Sequence, residues 1–109
     1  MNDFIHRTCK PCEGSEDRLS AAQADTFLTQ IPNWSRDEQT LSCTFTFKNF
    51  YETMAFVNAL AWIAHREDHH PDLQVSYKHC KVSYTTHSVG GLSDNDFICA
   101  CKIDALIKD

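Results

Sequence analysis

The sequence predicts an α+β fold, in which four antiparallel strands form one sheet and helices pack against one face of it. Three stretches of the chain repeat apolar residues at helical spacing, and four stretches alternate apolar and polar residues. These stretches follow the order αββαββα. Neither hairpin in that order is stable alone, and each amphipathic helix needs an apolar partner, so we expect one shared core.

Length and periodicity together predict a single domain with an irregular leader. The chain has 109 residues, 42% of them hydrophobic, which suits one globule with a modest core. Residues 1–18 show no steady periodicity, so we expect the leader there and the domain over residues 19–109. Ser20 and Gln23 form a capping-box pattern that begins the first helix, and Pro32 ends it.

The first hairpin follows Pro32. Trp34 opens a short strand, residues 37–39 are polar enough to turn, and residues 41–48 alternate between apolar and polar side chains. The alternation indicates a strand with one buried face. We expect Trp34 to be a core residue, although its ring would also suit a flat ligand.

The second helix is predicted to begin after Asn49, which has Glu52 three residues later as a second capping group. Pro71 disfavours helical geometry in the residue before it, so the helix should stop at or before His70. The apolar stripe expected to face the sheet consists of Phe50, Met54, Val57, Ala61 and Ala64.

The second hairpin and the final helix complete the order. Residues 73–77 and 82–86 alternate on either side of a polar turn, and Gly90-Gly91 breaks the returning strand. Ser93 with Asp96 forms a capping-box pattern for the last helix. The side of that helix expected to be buried consists of Ile98, Cys101 and Ala105.

Charge and hydropathy exclude several classes of partner. The formal net charge of -5 argues against direct binding to nucleic acid, which needs clustered Lys and Arg. The sequence shows no apolar stretch long enough for a membrane span and no secretory signal at its amino terminus. We therefore expect a cytoplasmic protein that contacts neither nucleic acid nor membrane.

The cysteines are predicted to be reduced thiols, since six cysteines without an export signal do not indicate a disulfide scaffold. Cys9-Lys10-Pro11-Cys12 has the C-x-x-C spacing of zinc and redox sites. Zinc needs further ligands, and the redox motif belongs beside a βαβ unit that the predicted order lacks. We interpret this pair as incidental and outside the catalytic fold.

Histidines provide the main functional hypothesis. His69 and His70 follow the second helix, and His87 is expected to end the fourth strand on its accessible side. Imidazole both donates and accepts protons near neutral pH, so convergence of the three would suit proton transfer on a small molecule. Spacing does not prove convergence, and three unconnected surface histidines are the alternative.

Zinc chemistry is a second alternative for the same cluster. His65 and His69 have the four-residue spacing that points two ligands from one helical face. Arg66 stands where the metalloprotease motif has its glutamate. That motif is therefore absent, but a three-histidine zinc site of a hydrolytic enzyme stays open.

Several segments have the pattern of one enzyme family: Pro32-Asn33-Trp34, Phe47-Lys48-Asn49-Phe50, His69-His70-Pro71, Tyr77, Thr86-His87, and Gly91-Leu92-Ser93 leading to Asp96. From the first helix to the last, the sequence resembles the pterin-4a-carbinolamine dehydratases. The leader with Cys9 and Cys12 is similar to leaders of bacterial members.

The resemblance implies an enzyme that removes water from 4a-hydroxytetrahydropterin, the product of aromatic amino-acid hydroxylases, and yields quinonoid dihydropterin. The implied catalytic residues are His69, His70 and His87. His69 and His87 would act as acid and base, and His70 would position the substrate or act likewise. Asp68 and Thr86 would contact the pterin, and Asp96 would support the histidines as well as cap its helix.

The resemblance also carries expectations about partners. It implies no metal and no cofactor, because the pterin is the substrate. It also implies functional coupling to an aromatic amino-acid hydroxylase. Exposed strand edges lead us to expect a homodimer or homotetramer. Many members have an acidic residue where this chain has His65, so any carboxylate support must come from elsewhere, and Glu67, Asp68 or Asp96 could supply it. Animal members also serve as dimerisation cofactors of a transcription factor, which is the non-catalytic alternative.

Overall fold

The computed structural model describes residues 4–12 and 14–107. Its helices and strands follow the predicted order, and the fold class is α+β as expected. The elements are α1 (Ala21–Leu28), β1 (Ser35–Arg36), β2 (Leu41–Thr46), α2 (Phe50–Glu67), β3 (Asp72–Val75), β4 (His79–Tyr84) and α3 (Asp94–Ala105).

The four strands form one antiparallel sheet in the order β1-β2-β4-β3, with β2 and β4 in the centre. Alternate residues of the central strands are buried and the others are more exposed, so one face carries the core. Asp72 of β3 pairs with Ser83 of β4. Because the two strands are antiparallel, the segment that enters β3 and the segment that leaves β4 lie at the same end of the sheet.

The first helix begins as predicted and ends earlier. The hydroxyl of Ser20 accepts a hydrogen bond from the Gln23 backbone, and the Gln23 side chain accepts one from the Ser20 backbone. The helix ends at Leu28, before Pro32, because the chain tightens into turns in which Ile31 N–H bonds to Leu28 O. Ile31 is nevertheless buried in the core.

The stripe predicted for α2 is correct only in part, since Val57 is partly buried against the core but the fully buried residues are others. The residues buried along this helix are Thr53, Phe56 and Leu60, whereas Phe50 is 44% exposed. The helix carries apolar side chains around most of its circumference, so spacing alone could not select the buried face. Thr53 is tolerated in the core because its hydroxyl lies 2.9 Å from the Tyr77 carbonyl, a hydrogen bond that links α2 to the second hairpin.

The final helix is buried more extensively than one stripe would allow. Its buried residues are Asn95, Asp96, Phe97, Ile98, Cys99, Ala100 and Ile103. Of the expected side, Ile98 is buried, but Cys101 and Ala105 are only half-buried. The reason is that α3 packs against α2 and also against a short 3-10 helix of the leader, Phe4–His6.

The leader contains two short 3-10 helices, Phe4–His6 and Ser15–Asp17, and its first part packs into the core. Phe4 is 1% exposed, and its ring packs edge-on against Phe27 at 4.9 Å between centroids and lies 6.3 Å from Phe97. The leader therefore contributes to the core. The division of the chain at residue 18 stays a prediction. In the part of the chain that the structure describes, no helix is long and apolar enough to cross a bilayer.

Candidate active site

The end of α2 directs His69 towards α3. Asp68 ends the helix in the left-handed conformation, with φ 52° and ψ 42°, and His69 N–H bonds back to the Ala64 carbonyl. This reversal places the imidazole against the first turn of α3. There the Nε2 atom of His69 lies 2.6 Å from Oδ1 of Asp96. The distance is that of a charge-assisted hydrogen bond.

Asp96 is fully buried, and both of its oxygens are hydrogen-bonded. Its Oδ2 accepts from the Thr86 hydroxyl at 2.8 Å and from the Ser93 backbone N–H at 2.9 Å, which closes the capping box of α3. The hydroxyls of Thr86 and Ser93 are 2.8 Å apart. An ionised carboxylate only accepts, so His69 would donate to it from Nε2, and Nδ1 is the acceptor atom of that tautomer.

Tyr84 fixes the plane of the His69 ring. The two rings stack at 5.2 Å between centroids with 21° between their planes, and the His69 side chain is 13% exposed. Burial, followed by the nearby Cys99 thiol, raises the pKa of Tyr84. The phenol therefore stays protonated at neutral pH, and Tyr84 packs against the His69 ring without acting as a base.

A cavity of about 230 Å³ lies beside His69. Asp68 and Thr86 line it together with His69, and residues 9–12 of the leader form another part of its lining. The volume is slightly below the range of about 300 to 1,000 Å³ that is usual for small-molecule sites. Such a cavity suits a small ring compound.

His70 and His87 lie at the surface. Both are exposed, and neither is among the described residues that line the cavity, although each is adjacent in sequence to one that does. The sequence predicts that His87 ends β4, but β4 ends at Tyr84. His87 instead begins a 3-10 turn, which follows an isolated bridge between Thr86 and Gly91. The positive φ of Gly90, 72°, permits this turn.

The zinc alternative has no ligand set among residues 4–12 and 14–107, in which no group of three metal-binding side chains occurs. His65 is exposed, and its ring packs at 5.4 Å from that of Trp62. His69 instead bonds to Asp96. The four-residue spacing therefore does not make His65 and His69 a ligand pair.

A family model described as pterin 4 alpha carbinolamine dehydratase matches residues 17–106. The chain belongs to this family. A protein of Nitrosospira multiformis, named "Putative pterin-4-alpha-carbinolamine dehydratase", is 53% identical over 108 residues, which are 99% of this chain and 96% of that protein. A protein of the same name from Stenotrophomonas maltophilia is 60% identical over 102 residues, which are 92% of this chain and 88% of the other.

A solved pterin dehydratase has the same fold. The structure described as a transcriptional coactivator/pterin dehydratase from Brucella melitensis superposes with a TM-score of 0.80 at 27% identity, and covers 84% of this chain and 99% of its own. A pterin dehydratase-like RuBisCO assembly factor of the α-carboxysome superposes with a TM-score of 0.56 at 22% identity, over 67% of this chain and 84% of its own. This second likeness concerns the fold alone.

In this pterin-4a-carbinolamine dehydratase family member, sequence reasoning missed the contribution of the leader. Cys9 lines the cavity, and its Sγ lies 3.6 Å from that of Cys99. Asn95 and Ser88 line the cavity as well and bond to the leader. Periodicity could not reveal these contacts, because they join irregular backbone to single polar side chains. The one signal available was Phe4-Ile5, an apolar pair in a mostly polar segment.

Proposed function

We propose that this protein dehydrates 4a-hydroxytetrahydropterin to quinonoid dihydropterin by histidine acid-base catalysis. Membership of the pterin-4a-carbinolamine dehydratase family supports the reaction. The observation that carries the mechanism is the imidazole of His69, held by a buried carboxylate at the edge of a cavity of suitable size.

The reaction requires two proton transfers. A proton is donated to the 4a hydroxyl as the carbon–oxygen bond breaks and water leaves, and a proton is removed from the adjacent ring nitrogen as the carbon–nitrogen double bond forms. In this proposal His69 accepts the ring proton, and the Asp96 carboxylate stabilises the imidazolium that results. His87, on its exposed turn, donates to the hydroxyl, and His70 positions the pterin.

The two residues proposed to contact the pterin differ in their surroundings. Asp68 is exposed and lines the cavity, so its carboxylate is available to ring N–H groups. Thr86 is 6% exposed, and its hydroxyl bonds to Asp96 and Ser93. We therefore assign to Thr86 a positioning role through Asp96, with Asp68 as the direct contact.

Partners and location form part of the same proposal. We expect a homodimer or homotetramer, because β1 and β3 are edge strands and Phe50, Tyr51 and Trp62 are exposed on α2. All six cysteines are free thiols, which agrees with a reducing cytoplasm. The substrate implies that an aromatic amino-acid hydroxylase supplies it, and no cofactor is required.

Stopped-flow absorbance of freshly generated 4a-hydroxytetrahydropterin tests the function. The protein should accelerate dehydration, and His87→Ala should lose about 10²- to 10⁴-fold of the acceleration because the general acid is removed. His70→Ala should also lose much of the acceleration, because the pterin is no longer held in its reactive position. Both side chains are exposed, so both variants should fold, as circular dichroism would show. His79→Ala is the matched control, since His79 is an exposed histidine at the start of β4, away from the cavity lining.

Equal rates with and without folded wild-type protein would contradict the enzyme. They would favour the non-catalytic binding role instead. The Brucella melitensis structure is described as a transcriptional coactivator as well as a pterin dehydratase. Full activity in both histidine variants would leave the reaction standing and assign the proton donation and the positioning of the pterin to other residues.

A further inference from the structure

The leader bonds to the segments that carry the candidate site. Its contacts are Arg7 Nη2 to Asp94 Oδ2 at 2.9 Å, Cys9 N to Glu67 Oε1 at 2.8 Å, Lys10 N to Asn95 Oδ1 at 3.1 Å, Asn95 Nδ2 to Lys10 O at 2.6 Å, and Ser88 Oγ to Cys12 O at 2.6 Å. These partners lie at the end of α2, in the turn after β4 and in the first turn of α3. A single stretch of irregular backbone therefore joins three separate elements.

Asn95 forms the most specific of these contacts. Asn95 is 5% exposed. Its side-chain amide accepts a hydrogen bond from the N–H of Lys10 and donates one to the carbonyl of Lys10. Asn95 immediately precedes Asp96, which supports His69. The leader is thus fixed to the same turn of α3 that orients the imidazole.

Glu67 and Ser88 fix the leader beside the other candidate residues. Burial alone would raise the pKa of Glu67, but hydrogen bonds from Cys9 N–H and from Lys102, at 3.2 Å, lower it, so Glu67 is an anionic acceptor. Glu67 directly precedes Asp68, and Ser88 directly follows His87. Each therefore joins the leader to a segment proposed to bind substrate.

We propose that residues 9–12 are a wall of the pterin site and that Asn95 and Ser88 are positioning residues that hold this wall in place. The inference rests on the proposed function, and it adds a substrate-binding role for the leader. The wall lines the cavity beside His69. In the part of the chain that the structure describes, it forms no hydrogen bond with the side chains of the His69–Asp96 pair. Releasing it should open the cavity to water and weaken pterin binding while the acid-base pair stays intact.

The variants Asn95→Ala and Ser88→Ala test the proposal. Each should raise the Kd for 7,8-dihydropterin, measured by calorimetry, by about 5- to 10-fold, and the KM for 4a-hydroxytetrahydropterin by the same factor. This factor corresponds to the free energy of about one or two hydrogen bonds. The kcat should stay within about twofold of wild type, because only binding common to substrate and transition state is lost. Hydrogen exchange at the Lys10 amide should become faster in Asn95→Ala.

Thr29→Ala is the matched control for Ser88→Ala, because the exposed Thr29 hydroxyl also bonds to one backbone carbonyl, that of Thr26. It should leave Kd, KM and kcat unchanged. Ser88 is exposed, so its variant decides the question even if Asn95→Ala does not fold.

Four results would overturn the proposal. Faster exchange at Lys10 with an unchanged Kd would show that the leader is not a wall of the site. Unchanged exchange would show that Asn95 does not position it. A wild-type protein that neither binds the dihydropterin nor accelerates dehydration would contradict both the proposed function and this inference. An active wild-type protein with unaffected variants would contradict the inference alone.

Discussion

One carboxylate, that of Asp96, closes the cap of α3 and holds the imidazole of His69. Its Oδ1 lies 2.6 Å from His69 Nε2, and its Oδ2 accepts the backbone N–H of Ser93 at 2.9 Å. The fold and the candidate site therefore depend on the same side chain, and a change at this position should affect both.

Asp96→Asn should lower both the free energy of unfolding and the dehydration rate, and the two losses can be measured separately. The amide removes the charge-assisted bond to His69, so we expect about 1 to 3 kcal/mol less free energy of unfolding. The dehydration rate should fall by about 10- to 100-fold, because the imidazolium loses its counter-charge. Urea unfolding and stopped-flow absorbance measure the two quantities.

The control for this variant is Asp25→Asn, since Asp25 is exposed and pairs at the surface with Arg36. A surface ion pair contributes little, so both quantities should stay near those of wild type. Full dehydration rate in a folded Asp96→Asn protein would show that the carboxylate only caps α3.

Phe4→Ala tests the contribution of the leader to stability. The ring of Phe4 is 1% exposed and packs between α1 and α3, so its loss should lower the free energy of unfolding by about 3 to 5 kcal/mol. Ile5→Ala is the control, because Ile5 is the next residue and is 43% exposed. Equal, small losses in the two variants would mean that the leader is not part of the cooperative core.

The stability of the protein should fall in alkaline solution. Burial, and then the negative charge of Asp104, raise the pKa of Cys43 from 9.0 to about 11. Between pH 9 and 11 the unfolded chain loses this proton while the folded chain keeps it. The contribution is complete below pH 9 and lost as pH rises through 11, with a slope of at most about 1.4 kcal/mol per pH unit for one group.

Cys43→Val removes this titration. Its free energy of unfolding, measured by urea titration at several pH values, should decline less steeply from pH 9 to 11 than that of wild type. A decline should remain in the variant, because burial also raises the pKa of Cys80. Identical slopes in the two proteins would exclude Cys43 as a source of the pH dependence.

Strong chelators should leave the dehydration rate and the Tm unchanged. A zinc ion bound by the histidines would stabilise the folded state, so its removal would lower both. The measurement is activity and thermal unfolding before and after dialysis against 1,10-phenanthroline, with elemental analysis of the protein. Stoichiometric zinc that is lost together with activity would restore the zinc alternative.

Local signals predicted most of the fold. The caps at Ser20, Asn49 and Ser93 were predictable because each joins residues only two or three positions apart in the sequence. The buried face of α2 was not, because Phe50 and Phe56 are equally apolar and only the sheet selects between them. Long-range packing therefore decided what periodicity left open.

The candidate site was predictable only in part, because some of its contacts join residues that are far apart in the sequence. The resemblance indicated His69 and Asp96, and the structure joins them. The clamp between Asn95 and Lys10 has no sequence pattern, since it pairs one amide side chain with backbone 85 positions away. Contacts of that kind become visible only when the tertiary structure is known.

The left-handed backbone at Asp68 narrows the amino acids that can occupy this position. With φ at 52°, only glycine, asparagine and aspartate are accommodated readily, because their side chains avoid or offset the clash with the backbone. The contact that we propose between the Asp68 side chain and the pterin would further disfavour glycine, which has no side chain to form it. Random mutagenesis of codon 68, selected for growth that depends on pterin recycling, should therefore return aspartate most often and asparagine next, however many substitutions the rest of α2 accepts.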